Sequence, residues 1–138
     1  MRGSGQLSLE YLLVLAVSLS AFAILVPLLG HVYSMAIFGQ DSANAAYFSS
    51  AMQQRVSSMG FQADGSASRI SARPFSSWRI LARGASLIIA VQGPDSMEKE
   101  FKVIFPNELQ ETSFGLDSRM DFLLRKDSGK ILLEYDNP

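Results

Sequence analysis

QLSLEYLLVLAVSLSAFAILVPLL, Gln6 to Leu29, is the stretch that decides what this chain can be. It carries one charge, Glu10, and the 19 residues from Tyr11 to Leu29 carry none. As a helix rising ~1.5 Å per residue, those residues span about 28 Å, close to the thickness of a bilayer's hydrocarbon core. A helix buried in a small soluble domain rarely is apolar on every face. The segment therefore belongs in lipid, in a secretory signal, or in the core of an assembly that substitutes for lipid.

After it, 109 of the 138 residues remain, enough for one modest core. The balance of 12 basic and 13 acidic residues gives no polyelectrolyte signal, so nucleic acid is not an expected partner. Arg69, Arg73, Arg79 and Arg83 are the nearest approach to a basic cluster and read first as solvated strand residues. No cysteine is present, which excludes disulfides, thiol catalysis and thiolate metal sites. The single histidine, His31, follows the apolar run beside Gly30, an interfacial position rather than a catalytic one.

A secretory signal needs a basic start and a small-x-small cleavage site. Ala21-Phe22-Ala23 fits the pattern, but cleavage there leaves Ile24-Leu25-Val26-Pro27-Leu28-Leu29 as a greasy new terminus. As a plain anchor, the run puts Glu10 in the first helical turn, where a negative charge suits the helix dipole.

More of the residues are explained by a third arrangement. Gly5, then Gln6-Leu7-Ser8-Leu9-Glu10-Tyr11, then at once the apolar run, resembles the class III signal peptide of archaeal type IV pilins. In that family a short polar leader ends in Gly, a membrane-embedded prepilin peptidase cuts before Gln, and the mature chain begins Gln-x-Ser-x-Glu. Gln6, Ser8, Glu10 and Tyr11 match, over about 25 residues. Ser4 stands where the family often has Lys or Arg, and Val14 where Leu is common.

The resemblance implies a leader over 1–5 and cleavage between Gly5 and Gln6, with Gln6, Ser8, Glu10 and Tyr11 serving recognition and assembly. It implies as partners the peptidase, further copies of the chain, other pilins, the assembly ATPase and platform, and the membrane before assembly. The destination it implies is an extracellular surface filament, with adhesion as its use. In related filaments the Glu is thought to meet a neighbour's N-terminal amine, so Glu10 is expected to pair with the Gln6 amine.

The helix itself can be read against such an assembly. Close approach of apolar helices needs small residues at intervals of three or four, and Ala16, Ser20, Ala23, Gly30 and Ser34 supply them. The helix is expected to run over 6–60, with a membrane or filament-core half at 6–30 and an amphipathic half at 31–60. Soft points are expected at Pro27, Gly30 and Gly39, and a new turn at Asp41-Ser42. In 41–59, Phe48, Met52, Val56 and Met59 recur on one face and predict packing under a β domain.

From Gly60 the period changes to two, giving a β-rich head over 61–138. Residues 61–68 read as a loop and Arg69–Arg73 as a short strand. Residues 76–83 and 86–92 read as a hairpin across Gly84-Ala85, and 98–105 as a strand with Phe101, Val103 and Phe105 on one face. Residues 107–118 read as irregular and acidic. A second hairpin joins 120–126 to 130–136, with Met120, Phe122 and Leu124 facing Ile131, Leu133 and Tyr135. The expected fold is α+β: a long N-terminal hydrophobic helix followed by a small antiparallel sheet domain of four to six strands, as in type IV pilins.

No phosphate-binding glycine loop, dinucleotide fingerprint or zinc-protease motif occurs, and no cofactor or metal is expected. Glu98 with Glu100, and Asp117 with Asp121, read as surface charge rather than acid–base pairs. The leading expectation is a structural subunit, major or minor, whose work is assembly rather than catalysis. The alternative is a single-pass, membrane-anchored extracellular binding module that does not polymerise, and an enzyme stands third.

Overall fold

The computed structural model describes residues 2–136. One helix, α1 (Arg2–Met59), is followed by seven strands: β1 (Ala67–Ala72), β2 (Trp78–Arg83), β3 (Ser86–Gln92), β4 (Glu98–Ile104), β5 (Thr112–Leu116), β6 (Met120–Asp127) and β7 (Lys130–Asp136). The layout is α+β. Residues up to Ser34 form one unit and those from Met35 a second. The expected soft points do not break α1, which runs through Pro27, Gly30 and Gly39. Each glycine costs a helix about 1 kcal/mol and a proline about 3 kcal/mol relative to alanine. The Leu- and Ala-rich flanks offset that.

The second unit, the head, holds two antiparallel sheets where the sequence suggested one. Three strands lie in the order β1-β6-β7 and four in the order β4-β3-β2-β5. Both expected hairpins form. In the second, Phe122 pairs with Tyr135 and Leu124 with Leu133, while Ile131 falls opposite Lys126 and Met120 lies beyond the β7 ladder. Its turn uses Ser128 and Gly129 at φ 52° and 80°, the left-handed pair that a tight hairpin needs.

Alternation drives the core. Trp78, Ile80 and Ala82 point inward from β2, and Met120, Phe122 and Leu124 from β6. The face of α1 carrying Ala45, Phe48, Met52, Val56 and Met59 is buried among them. Phe48 joins the layers, with ring centroids 6.0 Å from Trp78 and 5.4 Å from Phe122.

β5 lies where an irregular segment was expected. TSFGL is short, contains Gly115, and follows Glu108 and Glu111, so its own pattern is weak. Pairing with β2 fixes it, and Phe114 stacks on Tyr135 of β7 at 4.7 Å. β1 likewise starts earlier than expected, at Ala67, because Ala67 and Ser68 pair with Arg125 and Leu124 of β6.

Two side-chain amides close strand edges. Gln53 of α1 accepts the Ile104 N–H (2.8 Å) and donates to its carbonyl (3.1 Å), extending the β4 ladder by one residue's worth of bonds. Asn107 does the same for Ile131 on β7, at 2.8 and 3.0 Å. Exposed strand edges invite pairing with other chains, and these contacts blunt two of them.

Candidate functional site

The helix residues up to Ser34 are the candidate site. None of the most apolar window of α1 is buried, and its mean hydropathy is 2.7. Nearly every large apolar side chain from Leu7 to Tyr33 is more than half exposed. Burying one such side chain is worth ~1.5–3 kcal/mol, so the surface left open represents on the order of tens of kcal/mol. Soluble monomers rarely leave an apolar area of that extent in water. The helix is long and apolar enough to cross a membrane.

Its polar groups are arranged for a dry environment. The hydroxyls of Ser18, Ser20 and Ser34 donate to the carbonyls of Val14, Ala16 and Gly30 at 2.8, 2.8 and 3.0 Å. A serine that returns its proton to its own helix carries no unmet donor into hydrocarbon. Ala16, Ser20, Ala23, Gly30 and Ser34 are all exposed, and a Cβ built on Gly30 meets nothing within 4 Å. A neighbouring helix can therefore approach the backbone there.

Gln6, Ser8, Glu10 and Tyr11 are exposed, and Gln6 and Glu10 lie one turn apart on one face. The Gln6 side-chain amide donates to Glu10 Oε1 at 3.4 Å, a long contact. Glu10 thus meets the Gln6 side chain, and because Gln6 is joined to Gly5 here, the expected contact with a free Gln6 amine is not formed. Two expectations about this end change. α1 has already begun at Arg2, so Glu10 stands more than two turns inside the helix and the dipole of the first turn does not reach it. The Gly5–Gln6 bond lies inside α1, where a leader over 1–5 ahead of a helix beginning at residue 6 was expected. Gly3 and Gly5 hold the helix weakly, so this end opens at small cost. Met1 of the expected leader lies outside the described residues.

In the head, the sequence reading missed Asp41. Mid-helix rather than at a new turn, it is 1% exposed. Its Oδ1 accepts the Phe75 N–H (2.5 Å) and Trp78 Nε1–H (3.1 Å), and its Oδ2 accepts the Ser76 N–H (2.9 Å). This carboxylate fastens the β1–β2 connection to α1. The available signal was its register: Asp41, Ala45, Phe48 and Met52 share one face, so a charge stood where the apolar stripe required a partner.

One member of each acidic pair read as surface charge, Glu98 and Asp121, meets a cation. Glu98 meets Arg79 at 3.4 Å. Asp121 accepts the Ser71 hydroxyl at 2.6 Å and meets Arg119 at 3.6 Å. The Ser71 hydrogen bond first, and the charges of Arg119 and Arg69 after it, hold the Asp121 carboxyl below its ordinary value of 3.8. That is opposite to the shift a general acid needs. Comparison with known proteins brings no match: no family model, curated protein or solved structure resembles the chain closely enough to assign it.

Proposed function

We propose that this chain is a structural subunit, major or minor, of an archaeal type IV pilus-like surface filament. A prepilin peptidase cuts it between Gly5 and Gln6, and the N-terminal helix then passes from the membrane into the filament core. The observation that carries this reading is an apolar helix surface left entirely unburied, interrupted at its start by Glu10 four residues after Gln6. Lipid tails and a helix bundle are equally apolar, so one surface serves both states. A carboxylate in such a place is costly unless paired, and the amine freed by cleavage is the natural partner. The head stays in solvent and provides adhesion or lateral contacts.

Glu10→Ala tests the reading. Cleavage stays largely intact, because the scissile bond and Gln6 are unchanged, while the yield of sheared filaments falls sharply. Normal filament yield from this variant would count against the role of Glu10 in assembly. Monomers in detergent and a bare cell surface from the unaltered chain would favour the non-polymerising anchor instead.

A further inference from the structure

We propose that the head carries two complementary faces, and that one copy of this chain docks its acidic face into the basic face of the next. The basic face is an open groove of about 460 Å³ between α1 and the β1 edge of the three-stranded sheet. Tyr47 and Arg55 reach it from the helix, Arg69 and Ser71 from β1, and Arg73 from just beyond. Tyr47 is 79% exposed. No carboxylate lines this groove, and the one beside it, Asp121, is held by Ser71 and Arg119 and leaves Arg55 and Arg73 without an ion pair. The acidic face lies at the opposite edge of the same sheet, where Glu108, Gln110 and Glu111 rim a cavity of about 220 Å³ floored by Leu132 and Tyr135 of β7. No lysine or arginine lines it. Among the described residues, no ion pair ties Arg55, Arg73, Glu108 or Glu111 to an opposite charge.

The charges are segregated on a chain whose formal net charge is only −1, so the asymmetry is one of placement. A partner carrying the opposite placement is already present in any assembly of this chain, namely the next copy. Exposed tyrosine and arginine are the side chains that most often carry binding energy at interfaces, and opposed charges fix register and exclude wrong alignments. The two faces are different patches at opposite edges of one sheet, so the contact is heterologous. It leaves a free face at each end and propagates instead of closing as a two-fold dimer does. This inference rests on the filament reading for the presence of many copies.

The absence of cysteine makes the contact testable in the full-length chain. The double variant Arg73→Cys with Glu111→Cys, oxidised on intact cells, is expected to give a ladder of dimers, trimers and higher species. Each single variant is expected to stay monomeric, because a heterologous contact never brings two copies of one position together. In the double-cysteine background, Arg55→Glu lowers ladder yield roughly tenfold, and adding Glu108→Arg restores most of it. All four positions are exposed, so the core is untouched. Dimers from Arg73→Cys alone, or an adduct of that variant with a different protein, would overturn the proposal. Sheared filaments of the double variant without a ladder would also overturn it and leave the filament reading intact. A ladder in membranes without any filament would uphold the contact and refute the filament.

Discussion

Replacing Asp41 by alanine should loosen the head more than any other single polar substitution. The carboxylate accepts three N–H groups: those of Phe75 and Ser76 at 2.5 and 2.9 Å, and the indole of Trp78 at 3.1 Å. Hydrogen bonds to a charged acceptor contribute about 1.5–3 kcal/mol each, and a buried donor left unmet costs about 1–3 kcal/mol. Trp78 is 2% exposed, so water cannot replace its lost acceptor, whereas the exposed Phe75–Ser77 connection can take up water at its two N–H groups. Relief of the buried charge works the other way. The net expectation for Asp41→Ala is a loss of about 3–4 kcal/mol. Asp41→Asn keeps an acceptor but turns an N–H toward a donor, and should lose about 1–3 kcal/mol. Urea unfolding of the full-length chain in detergent, followed by the fluorescence of its only tryptophan, reads both. A double-mutant cycle with Trp78→Phe, followed by circular dichroism, should give a coupling of at least about 1 kcal/mol. An Asp41→Ala variant within about 0.5 kcal/mol of the parent, or a cycle with no coupling, would refute the reasoning.

Gly93→Ala should destabilise the head by about 1–3 kcal/mol, because a Cβ there falls 2.6 Å from the Phe38 ring; a smaller residue at Phe38 should restore most of the loss in the same assay. Asn107→Ala leaves both backbone groups of Ile131 without their amide partner; a loss of about 1–3 kcal/mol and faster aggregation, measured by light scattering, are expected. Asp121 has a lowered pKa in the folded state, so its contribution is present above the unfolded value near 3.8 and is lost as pH falls through the lower folded value. Ser71→Ala removes the main cause, and the acid limb of its stability–pH curve should be shallower than the parent's.

Legibility in the sequence followed the strength of local pattern. The apolar run and the 48, 52, 56, 59 stripe announce themselves through composition and period, and the stripe is the buried face of α1. The hairpins around Gly84 and Gly129 were visible because alternation and turn residues agree. β5 was not, because its identity comes from β2 and from the Phe114–Tyr135 stack, both distant in sequence. For the same reason the division into two sheets escaped notice: alternation predicts which residues face inward but says nothing about which strands neighbour each other. Asp41 looked like the polar start of a turn, since its partners lie 34 to 37 residues away. Ser8 and Tyr11 remain legible only through the resemblance, because both are exposed on α1 and, among the described residues, no side-chain hydrogen bond or ring contact explains them.

The central claim, cleavage followed by assembly, is tested most directly by the N-terminal residue and intact mass of the native protein in material sheared from the cell surface. The account predicts a chain that begins at Gln6. A surface or membrane protein that retains Met1, or one that begins near Ile24, would contradict it.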